Sequence, residues 1–507
     1  MNLHSVKLNL PYYHLIFIFI FLSNLGCKKE EVIEGNEDEL IEETSSLDTD
    51  DTAISLEGDL QISDFIWEGL NTYYYWQEEV EALADSKLED EKAYAEFISQ
   101  NADPELFFDS LLHPEDRFSW IEEDYVELEN SLQGIYASNG VEFGLAYACQ
   151  DCNEIVGYVK YILEDSDASN KNIKRGDYFT GVNGITLTVG NYRNLLFGDE
   201  LSYTLNMADS IDGNLVLNGI NVELTKEENF ETNPIQISKT IDTNAGKIGY
   251  LMYNQFVADK SPQLNEVFGN FKSEGIIDLV VDLRYNGGGS VANCIELASM
   301  ITGQFNGEIF AKEKWNSKLT TYFEERYGAE RLIERFVDVL SDGESINSLS
   351  LNRVFILTTS SSASASELLI NSLSAYIDVV HIGEKTVGKN VGSITVYDYI
   401  DNDGNKNPDH TYAMQPIVLK IANKDDFAEY TDGLEPNTAI DEEIKNLGIL
   451  GDPSEPLLAT AISILSGTGK VTPYRSSSKN LRIGNPIVLK RQGMHLDKTI
   501  HSFQGKR

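Results

Sequence analysis

The spacing of apolar residues divides the chain into regions of different texture. Between residues 56 and 128, aromatic and aliphatic side chains recur three and four positions apart, which predicts a small helical domain. Between 129 and 226 the pattern shortens to alternating runs such as Gly140–Tyr147, and these predict short strands. The pair Asn183-Gly184 lies between two such runs and favours a tight hairpin turn.

From residue 227 to 466 the pattern becomes that of an α/β core. Ile276–Leu283 and Val354–Thr359 are nearly continuous apolar runs, which is typical of strands that are buried on both faces. Amphipathic runs at Leu264–Phe271 and Glu367–Tyr376 alternate with them and predict covering helices. We therefore expect a multi-domain α+β protein with an N-terminal helical domain, a β domain and an α/β core.

The beginning of the chain has the pattern of an export signal. The apolar run Leu15–Leu22 follows a region that contains Lys7, and it is too short to span about 30 Å of hydrocarbon. We expect residues 1–26 to form this signal. The acidic stretch that follows predicts a solvated tether over residues 27–55.

Charge narrows the choice of partners. The 507 residues include 39 Lys and Arg against 82 Asp and Glu, and the formal net charge is −43. Such a chain lacks the basic surface that a nucleic-acid partner requires. Residues 467–507 are the exception, because they carry nine Lys and Arg against the single acid Asp497. This basic tail either contacts the acidic body or is disordered.

Two predicted strand ends carry candidate chemistry. The first, Asp282–Ser290, contains three consecutive glycines that let the backbone turn sharply and present N–H groups to a ligand. The second, Ser360–Glu367, joins a strand to a helix, where N–H groups stabilise a developing oxyanion. Ser364 and Glu367 also form a Ser-x-x-Glu capping box, so a purely structural helix cap is the alternative.

Together these motifs resemble the C-terminal processing peptidases, also called tail-specific proteases. Asp282–Gly289 matches the family's Asp-Leu-Arg-x-Asn-x-Gly-Gly, and Ser362–Glu367 matches its Ser-Ala-Ser-Ala-Ser-Glu. Gly383–Lys389 matches Gly-Glu-x-Thr-x-Gly-Lys. The resemblance implies a peptidase core of the crotonase-like or ClpP-like type over residues 227–466.

The resemblance also implies roles for individual residues. It makes Ser364 the nucleophile and Lys389, rather than Lys385, the general base. The N–H groups of Gly288 and Ala365 would bind the oxyanion. One departure concerns the Gln that many members carry shortly after the lysine, because Gly392 stands there in this chain. Its place could be taken by Ser393 or Thr395, which leaves the third catalytic member open.

Residues 129–226 resemble the PDZ-like domain that precedes the peptidase core in this family. In such domains a Gly-Leu-containing loop receives the C-terminal carboxylate of a peptide, and the peptide adds a strand to the sheet edge. The corresponding loop residues here are Phe143, Gly144 and Leu145. The implied partners are polypeptides with accessible C-termini.

The end of the export signal resembles the lipobox of bacterial lipoproteins, with Cys27 as the lipidated residue. An ordinary secretory signal cleaved nearby is the alternative. The basic and then acidic residues that follow resemble the surface-export signal of Bacteroidetes lipoproteins. The implied location is the bacterial cell envelope, with the outer membrane as the anchoring surface.

No cofactor is expected, and the sequence has no set of metal ligands at the usual spacings. Cys149 and Cys152 form a CxxC motif that fits a redox pair, half of a zinc site or a hairpin tip with two thiols, which export could oxidise to a disulfide. The sequence thus predicts a lipid-anchored serine endopeptidase with a Ser–Lys dyad. The alternatives are a non-catalytic peptide-binding lipoprotein with the same fold and an acyl-transferring enzyme of the crotonase-like fold.

Overall fold

A computed structural model describes residues 58–101, 103–149, 151–401, 403–467, 482–483 and 493–496. The predicted signal over residues 1–26, the lipid-anchor residue Cys27 and the tether over 27–55 lie outside the described residues. Within the described ranges, no helix combines the length and the apolarity that are needed to cross a bilayer.

The N-terminal region is helical, as predicted. The side chains of Asp90 and Asp103 each accept a backbone N–H of the following helix, which fixes where two of these helices begin. Trp67 and Tyr74 belong to a fully buried apolar stripe. The helices are α1 (Asp59–Tyr73), α2 (Glu91–Ile98), α3 (Pro104–Ser110) and α4 (Tyr125–Leu132), with short 3₁₀ turns at Gln77–Glu79, Glu81–Leu83 and Asp85–Glu89.

A β-rich region follows, and its predicted hairpin turn is confirmed. Asn183 and Gly184 both have positive φ and form a two-residue turn between paired strands. The elements are β1 (Trp120–Glu122), β2 (Ile135–Ser138), β3 (Val141–Tyr147), β4 (Ile155–Ile162), a 3₁₀ turn (Ala168–Asn170), β5 (Tyr178–Val182), β6 (Ile185–Thr186), α5 (Tyr192–Phe197), β7 (Ser202–Ile211), β8 (Asn214–Thr225), β9 (Glu227–Glu231) and β10 (Ile235–Thr243). In the main sheet the order is β3-β4-β5-β7-β8, while β2 pairs with β9.

The loop that the PDZ resemblance implied at Phe143, Gly144 and Leu145 is wrong, because all three residues lie inside strand β3. The strand that the alternating pattern of Gly140–Tyr147 predicted is confirmed. They pair with β4, where Gly144 lies opposite Tyr158. A Cβ on Gly144 would fall 2.2 Å from Cζ of the Tyr158 ring, so the glycine makes room for a cross-strand aromatic. Packing between strands, rather than a turn, explains this glycine.

The α/β core contains a six-stranded sheet in the order β10-β11-β12-β15-β16-β21, parallel from β11 onward. One face packs against helices α6, α7 and α9, and the other packs against α10. The elements are β11 (Gly246–Tyr253), a 3₁₀ turn (Ala258–Lys260), α6 (Ser261–Glu274), β12 (Asp278–Asp282), α7 (Val291–Thr302), β15 (Arg353–Thr358), α9 (Ala365–Ser374), β16 (Asp378–Gly383), β21 (Thr438–Ala439), a 3₁₀ turn (Ile444–Asn446) and α10 (Pro456–Leu465).

Smaller sheets pack beside the core and attach the N-terminal region to it. Strand β1 pairs with β19, with Trp120 opposite Gln415. The orders are β14-β13-β20-β17 and β1-β19-β18. The elements are β13 (Ile309–Trp315), α8 (Ser317–Tyr327), a 3₁₀ turn (Ala329–Leu332), β14 (Ile333–Arg335), β17 (Val391–Ser393), β18 (Val396–Tyr397), β19 (Ala413–Gln415) and β20 (Ile417–Ala422), and a two-residue strand, β22 (Arg482–Ile483), pairs with β3.

A buried ionic network lies where β12 ends. The Arg284 guanidinium is fully buried and donates to the carboxylates of Asp282, Glu455 and Glu442. Arg175, from the β-rich region, donates to the same Glu442 oxygen at 2.9 Å. Buried charges are tolerated only when they are paired in this way. The network therefore fixes the start of the glycine loop and links two regions of the chain.

We expect Arg284→Met to destabilise the protein by about 3–5 kcal/mol, because it leaves buried carboxylates without their cation. Arg335→Met is the matched control, since Arg335 pairs with Glu330 at the surface and its loss is expected to cost less than about 1 kcal/mol. Denaturant unfolding of both variants measures the difference. Equal destabilisation would contradict the importance of the buried network.

Candidate active site

Ser364 lies at a sharp turn between β15 and α9. Its φ of 63° and ψ of −113° belong to a region that a non-glycine residue rarely adopts, and its side chain is fully buried. The neighbouring serines hold the turn in place, because Ser362 donates to the Leu283 carbonyl and Ser366 donates to the Asn286 carbonyl. The serine loop is thus attached to the glycine loop at the carboxyl edge of the parallel sheet.

Glu367 joins the two motifs that the sequence placed on separate segments. Its carboxylate accepts the Ser364 N–H at 2.8 Å, which is the predicted capping contact. It also accepts the N–H groups of Lys389 at 2.8 Å and Gly388 at 2.7 Å, and the Thr386 hydroxyl at 2.5 Å. Burial raises the pKa of Glu367, while these hydrogen bonds oppose the shift. The helix cap therefore also positions the lysine segment.

Lys389 is buried, with 5% of its surface exposed. Burial lowers the pKa of Lys389 from its ordinary value of 10.5 to about 8, and the carboxylates of Asp116 and Glu367 oppose this shift. The Nζ atom lies 4.9 Å from the centroid of the Phe118 ring. This environment favours the neutral amine far more than water does, which is what a lysine base requires.

Asp116 and Phe118 come from the loop that follows α3, and sequence reasoning missed both. Arg117 from the same loop donates to the carbonyls of Gly388 and Thr431, each at 3.0 Å. Arg117 and Gly388 are 271 residues apart in the sequence. No local pattern marks these contacts, because they depend on how the helical region docks on the core.

The predicted oxyanion donors converge on Ser364. Gly288 has a φ of 116°, and a Cβ there would fall 2.7 Å from Ser364 Cβ and 3.1 Å from the Ala365 nitrogen. Ala365 begins α9, where the first N–H groups have no acceptor within the helix. The Gly288 N–H, however, donates to Asn286 Oδ1 at 2.8 Å in this structure. It is therefore engaged within its own loop.

Residues 493–496, from the basic tail, also lie at this site. The Met494 N–H donates to Ser364 Oγ. Gly493 lies beside the lysine, since a Cβ there would fall 2.3 Å from Lys389 Nζ. Of the two possibilities for the tail, contact with the body is correct for this segment, and the contact is made at the reactive atoms.

Comparison with known proteins agrees with this geometry. Residues 247–412 match the model of peptidase family S41, and residues 61–120 match the peptidase S41 N-terminal domain. The chain belongs to peptidase family S41. The S41 match spans the glycine loop, the Ser364 turn and Lys389, and the N-terminal match includes Asp116 and Phe118.

Curated relatives are distant. A probable CtpA-like serine protease of Staphylococcus epidermidis (strain ATCC 12228) is 23% identical over 273 residues, which cover 54% of this chain and 50% of that protein. A Staphylococcus aureus (strain N315) protein of the same description is 27% identical over 181 residues, 34% of this chain and 33% of that protein. The S41 chain thus spans at most about half the length of these relatives.

Two solved structures are similar to this chain, and the first of them shows the shared fold. An S41 protease from Bacteroides fragilis NCTC 9343 has a TM-score of 0.60 and 22% identity, with 80% of this chain and 97% of that chain covered. The photosystem II D1 C-terminal processing protease has a TM-score of 0.47 and 17% identity, with 77% and 95% covered. The protein is a mixed α+β S41 fold with a helical N-terminal region.

The departure from the S41 motif at Gly392 has a structural counterpart. A Cβ on Gly392 would fall 3.2 Å from Leu419 Cδ1 and 3.8 Å from Met494 Cγ. A Gln side chain would extend into the space that these two residues fill. The Ser393 hydroxyl donates to the Met494 carbonyl, and the Thr395 hydroxyl accepts from Gln415 at 2.6 Å.

Cys149 and Cys152 lie at the tip of the β3–β4 hairpin and are joined in a disulfide, so the hairpin-tip interpretation is confirmed. Glu154 lies beside them, but both sulfurs are taken by the bond between them. The third cysteine in the described part of the chain, Cys294, is buried in the core, and burial raises its pKa. The Cys149–Cys152 pair lies at the hairpin tip, whereas the Cys294 thiol donates to the Ala365 carbonyl at 3.3 Å, directly behind the Ser364 turn.

We expect Lys389→Met to stabilise the protein at pH 7. Below about pH 8 the lysine is charged in both states, so the folded state bears the full desolvation penalty of the ammonium. Above pH 10.5 it is neutral in both states and the penalty vanishes. The gain should therefore shrink as the pH rises from 8 to 10.5, as measured by denaturant unfolding.

Lys385→Met is the matched control for this prediction. Lys385 lies in the same motif, is partly exposed and pairs with Glu435 at the surface. Its substitution should leave stability nearly unchanged at each pH. A loss of stability in Lys389→Met at pH 7, or a gain in stability that does not change with pH, would contradict the idea that the buried Lys389 ammonium destabilises the folded state.

Proposed function

We propose that the chain is a serine endopeptidase in which Ser364 is the nucleophile and Lys389 the general base. The observation that carries the proposal is the carboxylate of Glu367, which accepts N–H groups from both residues and holds their backbones together. The lowered pKa of Lys389, about 8, supports its role as a base. Membership of family S41 supports the reaction class.

The proposed reaction has two stages. Ser364 Oγ attacks a peptide carbonyl carbon while Lys389 takes the hydroxyl proton, and the Ala365 N–H stabilises the oxyanion. The Lys389 ammonium then protonates the leaving amine as the C–N bond breaks, which gives an acyl-enzyme. Water attacks the ester carbonyl carbon and Lys389 accepts a proton from it; the ester C–O bond then breaks, Lys389 returns the proton to Ser364 Oγ, and the product leaves with a new C-terminal carboxyl group. Gly288 joins the oxyanion site once its N–H leaves Asn286.

We also propose that the β-rich region recognises polypeptide tails in the manner of a PDZ domain, and that the core is of the crotonase-like type. The edge of β3 supports the first proposal, because it accepts an added strand at Leu145 and Ala146. The Phe143 ring packs against Phe197 of α5 beside this strand. Substrates would be polypeptides with accessible C-termini.

Export and anchoring through Cys27 in the cell envelope complete the proposal. The disulfide at Cys149 and Cys152 supports export, since disulfides persist in oxidising compartments. The alternative, a non-catalytic peptide-binding lipoprotein, is favoured by two observations. Ser364 Oγ already accepts a hydrogen bond from a peptide N–H, that of Met494, and the Gly288 donor is engaged.

We expect Ser364→Ala and Lys389→Met each to lower cleavage of an unfolded polypeptide by about 10³-fold or more, because each removes one half of the dyad. Lys385→Met, in the same motif, should keep the activity of the unmodified protein. Each variant lacks residues 1–27 and is assayed with and without residues 493–507, since that segment contacts Ser364. Equal cleavage by all variants would exclude the dyad, and no cleavage by any form would favour the binding protein.

The pH dependence of cleavage should follow the protonation state of Lys389. Only neutral Lys389 accepts a proton, so kcat/KM is expected to rise tenfold per pH unit below about pH 8 and to level off above it. Initial rates on a fluorogenic peptide between pH 6 and 10 measure the profile. A plateau that begins near pH 6 would assign the base to a group other than Lys389.

A further inference from the structure

Residues 493–496, called the cleft segment below, are held as an extended strand between two backbone edges. On one side, the backbone N–H of His495 donates to the Gly289 carbonyl, and the backbone N–H of Val291 donates to the His495 carbonyl, both at 3.1 Å. On the other side, the backbone N–H of Ser393 donates to the Met494 carbonyl at 3.0 Å, and the backbone N–H of Leu496 donates to the Ser393 carbonyl at 3.1 Å. One of these edges is the glycine loop and the other is β17, which follows Lys389.

The side chains of the cleft segment are buried as deeply as core residues. Met494 is fully buried, and Leu496 and His495 are 6% and 8% exposed. Met494 and Leu496 belong to the main apolar cluster of the protein. A cavity of about 400 Å³, lined in part by His495 and Leu496, lies next to them. Two backbone edges and deep burial distinguish this contact from a loose surface association.

The cleft segment engages the atoms that would react with a substrate. The Met494 N–H donates to Ser364 Oγ, and Gly493 lies against Lys389 Nζ. A hydrogen-bond acceptor lies near the plane of the amide, whereas a nucleophile attacks the carbonyl carbon from above that plane. This contact therefore blocks Ser364 in an arrangement that differs from the one needed for attack.

A second part of the tail contacts the region proposed to recognise peptides. The backbone of strand β22 pairs antiparallel with β3, with Arg482 opposite Ala146 and Ile483 opposite Leu145. This is the way in which a bound peptide extends a sheet. One tail therefore contacts both places that a polypeptide substrate would use.

The charges of the chain favour the same association. Residues 467–507 carry nine basic residues against one acid, while the whole chain has a formal net charge of −43. Opposite charge on the tail and the body raises the local concentration of the tail near the body. The covalent connection adds an effective concentration in the millimolar range.

We propose that the C-terminal segment is a built-in competitor of substrate, bound uncleaved in the chain's own peptidase cleft, and that it must leave before a polypeptide enters. This inference rests on the proposed function, because it concerns the same cleft. It also gives the cleft a sequence preference for glycine beside Lys389, followed by a flexible apolar residue.

The preference for glycine follows from the position of Lys389. A Cβ at residue 493 would fall 2.3 Å from Nζ, so with any other residue the end of the Lys389 side chain must shift away from the place it occupies beside Ser364. The preference for an apolar residue next to it follows from the burial of Met494 against the Cα of Gly392. A charged side chain there would lose its hydration without gaining a partner.

The first experiment compares the full chain with a form that ends at Gln492, both lacking residues 1–27. If the segment occupies about nine molecules in ten, removing it should raise kcat/KM on an unfolded polypeptide about tenfold. Met494→Asp in the full chain should produce a similar rise, while Ile449→Asp, at a residue that is 73% exposed, should produce none. Equal kcat/KM for the full chain and the truncated form would overturn the proposal.

The second experiment adds the segment back as a free peptide, Gln-Gly-Met-His-Leu-Asp-Lys-Thr, labelled for fluorescence anisotropy. It should bind the truncated form, an Ala in place of Gly493 should weaken binding about tenfold, and an Asp in place of Met494 should abolish it. Equal binding of all three peptides, or binding of none, would overturn the proposal. This measurement requires no catalysis.

The two readouts separate the possible failures. If the truncated form binds the peptide but cleaves nothing, the proposed peptidase activity is contradicted, while the proposal that the segment binds in the cleft stands. If the truncated form cleaves no faster than the full chain and binds no peptide, the peptidase activity stands, while the proposal that the segment competes with substrate is contradicted. Mass spectrometry of the purified full chain decides the remaining point, since release of residues 494–507 would show a substrate rather than an uncleaved competitor.

Discussion

The arrangement of this site depends on one buried carboxylate, that of Glu367. A carboxylate out of contact with water is unstable unless hydrogen-bond donors surround it. The donors here come from the turn at Ser364 and from the segment Thr386–Lys389. Neither segment can move without leaving that charge unsatisfied. The positions of the serine and the lysine are thus two consequences of satisfying the same group.

The Arg284 network serves the glycine loop in a similar way. The guanidinium holds Asp282 and Glu455 beneath the loop, and Glu442 connects it to Arg175. Buried ion pairs add little net stability but are costly to break, so they restrict which arrangements survive. The loop that begins above this network is fastened again by Ser362 and Ser366. The glycine loop is therefore supported from below by the ionic network and from the side by the serine turn.

The sequence allowed part of this site to be predicted, and the limits have physical causes. Ser364, Lys389 and Gly288 lie in short motifs whose chemistry is local, and the structure brings them together. Gly144 was misplaced in a loop by the resemblance to PDZ domains, although the alternating pattern of Gly140–Tyr147 predicted the strand that the structure shows. Phe118 has no such motif, since its contact with Lys389 depends on tertiary docking.

The contacts of the basic tail could not be predicted from the sequence either. A charge count establishes that it is basic, but only the fold shows that Met494 reaches Ser364. Gly392 and Gly493 then acquire a common explanation. One lacks the side chain that would extend into the space of Met494, and the other lacks the Cβ that would meet Lys389 Nζ. These two glycines therefore create the space in which the C-terminal segment fits beside the nucleophile.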